Sequence, residues 1–193
     1  MYTDLPPGKI ASVVTYLKMT EAPATAPAPD PSWSLERRAI PDLDWYRALF
    51  TKVGQDWLWF SRLQMSDDEL RATIHHPDVD VFEFKIDGIE KGLLELDRRE
   101  KPDIEIAFFG LTQDVIGTGA GKCLLAGALD LAWSHHPRAV LVHTCTLDHP
   151  RALDFYRRAG FTPYKRAIEI ADDPRLDGTL PKTAAPQTPM LKT

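Results

Sequence analysis

Patterns of apolar residues divide the first part of the chain into short strands and helices. A strand rich in Val, Ile and Tyr is predicted at 10–19, and a second strand at 34–40 is expected to pair with it. Pro41 at a first helical position, followed by apolar residues at helical spacing, predicts a helix that begins at Pro41 and ends at Gly54. A capping-box pattern at Ser66 predicts that a second helix begins there and ends near His75.

The second half of the chain has a clearer order of elements. Three strands in quick succession predict an antiparallel meander at 79–86, 90–97 and 103–111. A glycine-rich turn and a long apolar helix follow, then a strand at 139–147, a short helix and a last strand at 161–170. A strand, a helix and another strand in this order form a crossover connection. We therefore expect strands 103–111 and 139–147 to be parallel neighbours in a mixed sheet.

Composition supports one globular domain with two less regular segments. The chain has 193 residues, of which 44% are hydrophobic and 26% charged, typical of a protein with a packed core. Half of its 16 prolines lie in two stretches, at 21–32 and 172–193. We therefore expect an N-terminal strand and Pro-rich connection over 1–33, a folded domain over 34–170, and a loosely ordered tail over 171–193.

Charge and cysteine usage narrow the function classes. A net charge of -5 gives no electrostatic reason to expect a nucleic acid or an anionic membrane as partner. The first residues do not resemble a secretory signal, and no apolar run approaches the ~20 residues that span a bilayer. Cys123 and Cys145 lack CxxC spacing and are predicted to be buried thiols in a reducing compartment, which favours a cytoplasmic protein. No histidine has a partner at metal-ligand spacing, so no metal is predicted.

A glycine-rich turn precedes the long apolar helix. Gly117, Gly119 and Gly121 alternate along it, so their backbone amides are unobstructed and point towards the positive end of the helix. Such a turn suits a pyrophosphate, and close packing of the strand against the helix is the alternative interpretation. The spacing fits neither a Walker motif, since Cys123 replaces the magnesium-binding hydroxyl, nor the dinucleotide-binding fingerprint.

Two segments together carry a family resemblance. The chain has I-G-T-G-A-G-K-C-L-L at 116–125 and H-P-R-A-L-D-F-Y-R-R-A-G-F at 149–161. In these segments and in the order of its elements it resembles the GNAT superfamily of acetyl-CoA-dependent N-acetyltransferases. Ile116 stands where the family has Arg or Gln, and His149 where Asn is common. The resemblance implies an α/β (α+β) fold with a mixed, mostly antiparallel sheet flanked by helices, here with an extra N-terminal strand.

The resemblance also implies an activity and a donor site. The expected reaction is direct transfer of acetyl from acetyl-CoA to a primary amine of a small molecule or a peptide, in a ternary complex. Backbone groups that would hold the pantetheine arm and polarise the thioester belong to Phe109, Gly110 and Leu111. The expected pyrophosphate site comprises Ile116, Gly117, Thr118, Gly119, Ala120, Gly121 and Lys122, with His149 nearby.

The same resemblance suggests two catalytic residues. Glu105 matches the glutamate that serves as base in histone-type members, and Tyr156 matches the tyrosine that protonates the thiolate. Glu95 is an alternative base, because antiparallel pairing could bring it beside Glu105. Strict alternation would place Glu105 and Phe109 on one face of the strand, and Tyr156 also fits an ordinary core stripe. His143 is expected to be packed and hydrogen bonded rather than catalytic.

The acceptor is not identified by the sequence. Aromatic residues and an arginine in the first helix and in the loop that follows it are candidates for an acceptor pocket or for core: Trp45, Trp57, Trp59, Phe60 and Arg62. A non-catalytic acyl-CoA-binding module with the same fold is the alternative function, favoured by Ile116. A homodimer is a further expectation, since the strand at 10–19 could cover a sheet edge or reach a second subunit.

Overall fold

The computed structural model describes residues 2–23 and 32–191, which form seven strands and four α-helices. Most of the Pro-rich connection lies outside the described residues. In chain order the elements are β1 (Lys9–Met19), β2 (Trp33–Arg38), α1 (Leu43–Gly54), α2 (Asp67–Ile74), β3 (Val79–Ile86), β4 (Ile89–Asp97), β5 (Ile104–Leu111), α3 (Ala120–Trp133), β6 (Val140–Cys145), α4 (Ala152–Arg158) and β7 (Thr162–Asp172). No helix in these two stretches combines the length and the apolar character needed to cross a membrane.

All seven strands form one sheet in the order β2-β3-β4-β5-β6-β1-β7, which confirms the predicted mixed α/β class. The N-terminal strand β1 lies inside this sheet, antiparallel to both β6 and β7. The expected pairing of the first two strands is therefore wrong, because β2 pairs with β3 at the opposite edge. The strand also covers no edge: its nearly continuous apolar run suits a position between two neighbours.

The predicted parallel pair β5 and β6 is confirmed but short. Its register runs only from Ile104 opposite Val140 to Ile106 opposite Val142. Beyond these residues the two strands have no further paired positions, so a gap opens in the sheet towards Leu111 on one side and Cys145 on the other.

A β-bulge at Ala107 marks the start of this gap. On β4, Glu95 lies opposite Phe108 while the next residue, Leu96, lies opposite Ile106. The extra residue shifts the alternation, because a one-residue slip moves every later side chain to the other face. Phe109 therefore lies on the face of Ile106, and the predicted grouping of Glu105 with Phe109 is wrong.

Two apolar layers cover the two faces of the sheet. One layer packs α3, through side chains that include Leu124, and α4 against sheet residues that include Leu96 and Ile106. The other packs α1 and α2 against the opposite face through Tyr46 and Phe50, with Phe108 at its border. The capping box predicted at Ser66 is present and begins α2. The gap between β5 and β6 is thus framed by both layers.

The C-terminal segment is packed as far as its described residues extend, to 191, which contradicts the loosely ordered tail predicted for 171–193. Arg175 and Asp173 are each 2% exposed and hydrogen bonded to each other. The Arg175 guanidinium also donates to the carbonyl oxygens of Ala184, Ala185 and Thr188. Apolar side chains around Leu180 pack with Ile10 and Leu58. The hydrogen bonds of one buried arginine thus stabilise a segment whose sequence has no regular pattern of apolar residues.

Candidate active site

The glycine turn lies where β5 leads into α3. Gly117 and Gly119 have φ angles of 89° and 101°, which L side chains rarely adopt, and Gly119 is the N-cap of the 14-residue helix α3. Thr118 braces the turn, since its hydroxyl donates to the Val115 carbonyl over 2.9 Å. Apart from Gly117 and its two chain neighbours, no described residue has an atom within 4 Å of the position that a Cβ of Gly117 would occupy. The turn is therefore open to a ligand.

Three backbone N–H groups of this turn are unpaired in the described part of the chain. Within the described residues, nothing accepts a hydrogen bond from the amides of Gly117, Gly119 or Gly121. These amides lie at the positive end of α3, where an anion is stabilised by both the donors and the helix dipole. The turn consequently fits a pyrophosphate, as the sequence suggested.

A cavity of about 1180 Å³ connects this turn with the gap between β5 and β6. It contains most of the predicted donor-site residues: Phe109, Gly110, Leu111, Ile116, Gly117, Gly119, Gly121, Lys122 and His149. Thr118 and the buried Ala120 complete the turn without lining the cavity. Arg151 and Arg158 also line it, and no carboxylate in the described stretches forms an ion pair with either. One end of the cavity is thus rich in donors and positive charge.

The strand β5 presents its backbone to the middle of the cavity. Gly110 is required there, because a Cβ would lie 2.5 Å from Val53 and 2.8 Å from the Trp59 ring. Trp59 packs on Phe108 and Phe50 and lines the cavity. This contact fixes the loop after α1 against the gap, next to the backbone of Phe109–Leu111.

Tyr156 on α4 lines the cavity between the two ends. Its ring packs edge-on against Phe109, Phe155 and Phe161, with centroids 5.5 to 6.0 Å apart, and the residue is 6% exposed. The hydroxyl forms no hydrogen bond with a described residue. Burial, followed by the charge of Asp148, raises the pKa of Tyr156 well above its ordinary value near 10. The phenol therefore stays protonated and can donate.

Glu105 lies on β5 just before the bulge, on the α1 and α2 face of the sheet. It does not line the cavity, but its Oε1 lies 2.8 Å from Nδ1 of His143, which does. The expectation of a hydrogen-bonded His143 is confirmed. The hydrogen bond with Glu105, partly opposed by desolvation, raises the pKa of His143 above 6.5.

Glu95, the alternative base, lies in a different environment. It is fully buried, accepts a hydrogen bond of 2.5 Å from the Tyr46 hydroxyl and forms an ion pair of 2.5 Å with Arg62. It lies opposite Phe108, whereas Glu105 lies opposite Asp97, so the expected pairing of the two glutamates is wrong.

Asp148 is a cavity residue that the sequence analysis missed. Its Oδ2 accepts hydrogen bonds from the Thr144 hydroxyl over 2.7 Å and from the Cys145 amide over 2.8 Å. Its Oδ1 lies 3.3 Å from the indole nitrogen of Trp59. The side chain thus joins the end of β6 to the loop after α1. A signal was available, because Asp148 follows the strand end and precedes the His149-Pro150 pair.

The aromatic cluster of the sequence is divided between cavity and core. Trp57, Trp59 and Phe60 line the cavity, and the Trp57 ring lies 5.2 Å from that of His149. Burial lowers the pKa of His149, with a smaller effect from Arg151. Trp45 instead bonds Glu90 over 2.7 Å, and Arg62 bonds Glu95. Among residues 2–23 and 32–191, no three His, Cys, Asp or Glu side chains are grouped as metal ligands.

Known structures share this fold. A GCN5-related N-acetyltransferase from Kribbella flavida is 15% identical with a TM-score of 0.56, over 89% of this chain and 63% of its own. One from Sphaerobacter thermophilus is 18% identical with a TM-score of 0.58, over 87% and 53%. An aminoglycoside acetyltransferase from an uncultured soil metagenomic sample is 20% identical with a TM-score of 0.55, over 68% and 89%.

These likenesses establish the fold, and the predicted GNAT architecture is confirmed. The chain spans between 51% and 67% of the length of several of the structures that it matches. No protein-family model matches the sequence, and no curated protein is significantly similar to it.

Proposed function

We propose that this protein is an N-acetyltransferase that transfers acetyl from acetyl-CoA to a primary amine. The observation that carries the proposal is the continuous cavity. It joins unpaired amides at a helix N-terminus to a gap between two parallel strands, and a buried tyrosine lies between them. An extended molecule with an anionic end and a reactive thioester end suits this shape.

The donor site would use the residues at the positive end of the cavity. The amides of Gly117, Gly119 and Gly121 would hold the pyrophosphate, while Lys122 and Arg158 supply positive charge for phosphate groups. Backbone groups of Phe109–Leu111 that face the gap have no partner on β6 and would hold the pantetheine arm and the thioester carbonyl. Acetyl-CoA supplies an activated acyl group there.

Transfer needs one group that accepts a proton from the amine and one that protonates the departing thiolate. Tyr156 is suited to the second task, because burial keeps its hydroxyl protonated. The first task belongs to the Glu105 and His143 pair, the hydrogen-bonded carboxylate and imidazole at the start of the gap. Both groups lie on rigid elements, which favours a direct attack in a ternary complex.

The acceptor is proposed to be an amine of a small molecule or a peptide. Aromatic rings of Trp57, Trp59 and Phe60 line the cavity together with the carboxylates of Asp148 and Glu169, which suits a cationic group on an apolar frame. An aminoglycoside acetyltransferase shares the fold. Aminoglycosides, aromatic monoamines and lysine peptides are therefore the amines to test. Cys123 and Cys145 form no disulfide, which is compatible with a cytoplasmic location.

A non-catalytic acyl-CoA-binding module is the second candidate. Ile116 favours it, because this apolar side chain lines the cavity where the family has a polar one. Both candidates predict that acetyl-CoA raises the melting temperature, whereas only an enzyme releases CoA thiol when an amine is added. Purified protein is therefore heated with and without acetyl-CoA, and thiol release is followed with each amine. Stabilisation without release above the hydrolysis background favours the module, and no stabilisation rejects both candidates.

A further inference from the structure

His143 occupies the first position of β6 beyond the paired part of the parallel ladder, since Val142 is the last residue that pairs with β5. Its ring lines the cavity, and its side chain is 43% exposed. Glu105, one position before Ile106 on β5, approaches it from outside the cavity lining. Of the two residues, the histidine is the one that a ligand in the cavity can touch.

The hydrogen bond between them determines which nitrogen can act. An ionised carboxylate only accepts, so the contact of 2.8 Å to Glu105 requires that Nδ1 of His143 carries the hydrogen. In the neutral ring the lone pair is then on Nε2. Nε2 has no hydrogen-bond partner among the described residues. The geometry therefore provides a proton-accepting atom held by an orienting carboxylate.

We propose that His143 is the catalytic base of the amine transfer and that Glu105 is its positioning residue. This inference rests on the proposed acetyltransferase function, and it assigns to His143 the role of base that the family resemblance implied for Glu105. In this arrangement the imidazole of His143 acts as the base, and the carboxylate of Glu105 holds its ring in the required orientation.

The charges around His143 favour its protonated form. Glu105 faces it from β5, Asp148 from the turn after β6 and Glu169 from β7. From β1, the Tyr16 ring lies 5.7 Å away, with the Lys165 ammonium over its face. The three carboxylates raise the pKa of His143, with the Glu105 hydrogen bond as the largest effect, despite desolvation. A base works in its neutral form, so the transfer rate should rise with pH through this raised pKa.

The proposed step conserves protons and electrons. Nε2 of His143 takes one proton from the ammonium, and the freed lone pair forms a C–N bond to the thioester carbonyl carbon while the C–S bond breaks. Tyr156 gives its hydroxyl proton to the departing thiolate and regains one from the new amide nitrogen. His143 then releases its proton to water. The products are the N-acetyl amine, CoA thiol and one proton.

The test compares H143N, H143Q and E105Q with wild type, using the amine of the panel that wild type acetylates fastest. H135Q is the matched control, because His135 is exposed at the end of α3, outside the cavity. H143N and H143Q should lower kcat by about 10²–10⁴-fold with acetyl-CoA stabilisation unchanged.

E105Q should shift the acidic limb of the rate profile to lower pH, since the carboxylate no longer stabilises the imidazolium. Nuclear magnetic resonance of the His143 ring should show the same shift without any substrate.

Each outcome distinguishes the two proposals. If no amine is acetylated by wild type, the proposed function fails and this role fails with it. If wild type acetylates an amine and H143N and H143Q retain its kcat, only the role of His143 is overturned. An unchanged acidic limb and an unchanged ring titration in E105Q would remove Glu105 as the positioning residue.

Discussion

Arg62 and Glu95 form an ion pair of 2.5 Å beneath the aromatic ring of Phe108, with the carboxylate fully buried and the guanidinium side chain 11% exposed. The Tyr46 hydroxyl completes the contacts of Glu95, and burial together with that charge raises the pKa of Tyr46 well above 10. Removing either partner of such a buried ion pair leaves an uncompensated charge out of contact with water, which is strongly destabilising. The pair therefore ties α1, the loop before α2 and β4 together below the cavity.

Arg62→Met should destabilise the protein by about 3–5 kcal/mol, because it leaves the Glu95 carboxylate buried without its partner. The double variant Arg62→Met with Glu95→Gln should recover part of this loss, since no unpaired charge remains. Urea denaturation of the two single variants and the double variant measures the coupling. Additive losses would show that the pair is not coupled. The acidic limb of the rate profile should stay in place in Glu95→Gln, because Glu95 bonds Tyr46 and Arg62 and is not among the carboxylates that raise the pKa of His143.

Features that depend on neighbours in sequence were predicted from the sequence. The Ser66 capping box needs residues three apart, and the parallel neighbours β5 and β6 follow from a single crossover. The unobstructed backbone amides of the turn after β5 were also predictable, because they follow from the glycines of the turn itself. These features are fixed by short stretches of chain.

Features that depend on distant partners could not be predicted in this way. The strand β1 pairs with residues more than 120 positions away in the sequence. The residues of Lys9–Met19 alone do not predict that β6 and β7 are its neighbours. The bulge at Ala107 depends on how β5 meets β4, so strict alternation misplaced Phe109. The sequence predicted a packed, hydrogen-bonded His143 rather than a catalyst, and it did not identify Glu105 as the partner. Only the end of the β5 and β6 ladder shows that its ring reaches the cavity.

Gly117→Ala should weaken acetyl-CoA binding. Its φ of 89° disfavours any L side chain by about 1–2 kcal/mol, and relaxing this strain would turn the donor amides away from the ligand. The test measures the acetyl-CoA-dependent rise in melting temperature. Gly178→Ala is the matched control, since Gly178 has a φ of 87°, equally open Cβ space and no contact with the cavity. Equal loss of acetyl-CoA stabilisation in both variants would argue against a specific role for this turn.

Tyr156→Phe should lower kcat by about 10²-fold while leaving acetyl-CoA stabilisation unchanged, because it removes only the hydroxyl that protonates the thiolate. Ionisation of Tyr156 should not limit the rate below about pH 10, since its pKa is raised. Steady-state thiol release across this pH range checks both statements. Tyr164→Phe, at a half-exposed ring outside the cavity, is the control. An unchanged kcat in Tyr156→Phe would leave the tyrosine a packing role alone.

The buried pair of Asp173 and Arg175 should make stability fall in acid. Hydrogen bonds from the Arg175 side chain hold the pKa of Asp173 below its ordinary value of 3.8, outweighing desolvation. A depressed carboxyl pKa contributes stability above the unfolded value and loses it as pH falls through the folded one. Wild type should therefore lose more free energy of unfolding than Asp173→Asn between about pH 5 and pH 3, measured by urea denaturation at each pH. Parallel curves for the two proteins would show that this carboxylate does not hold the C-terminal segment in place.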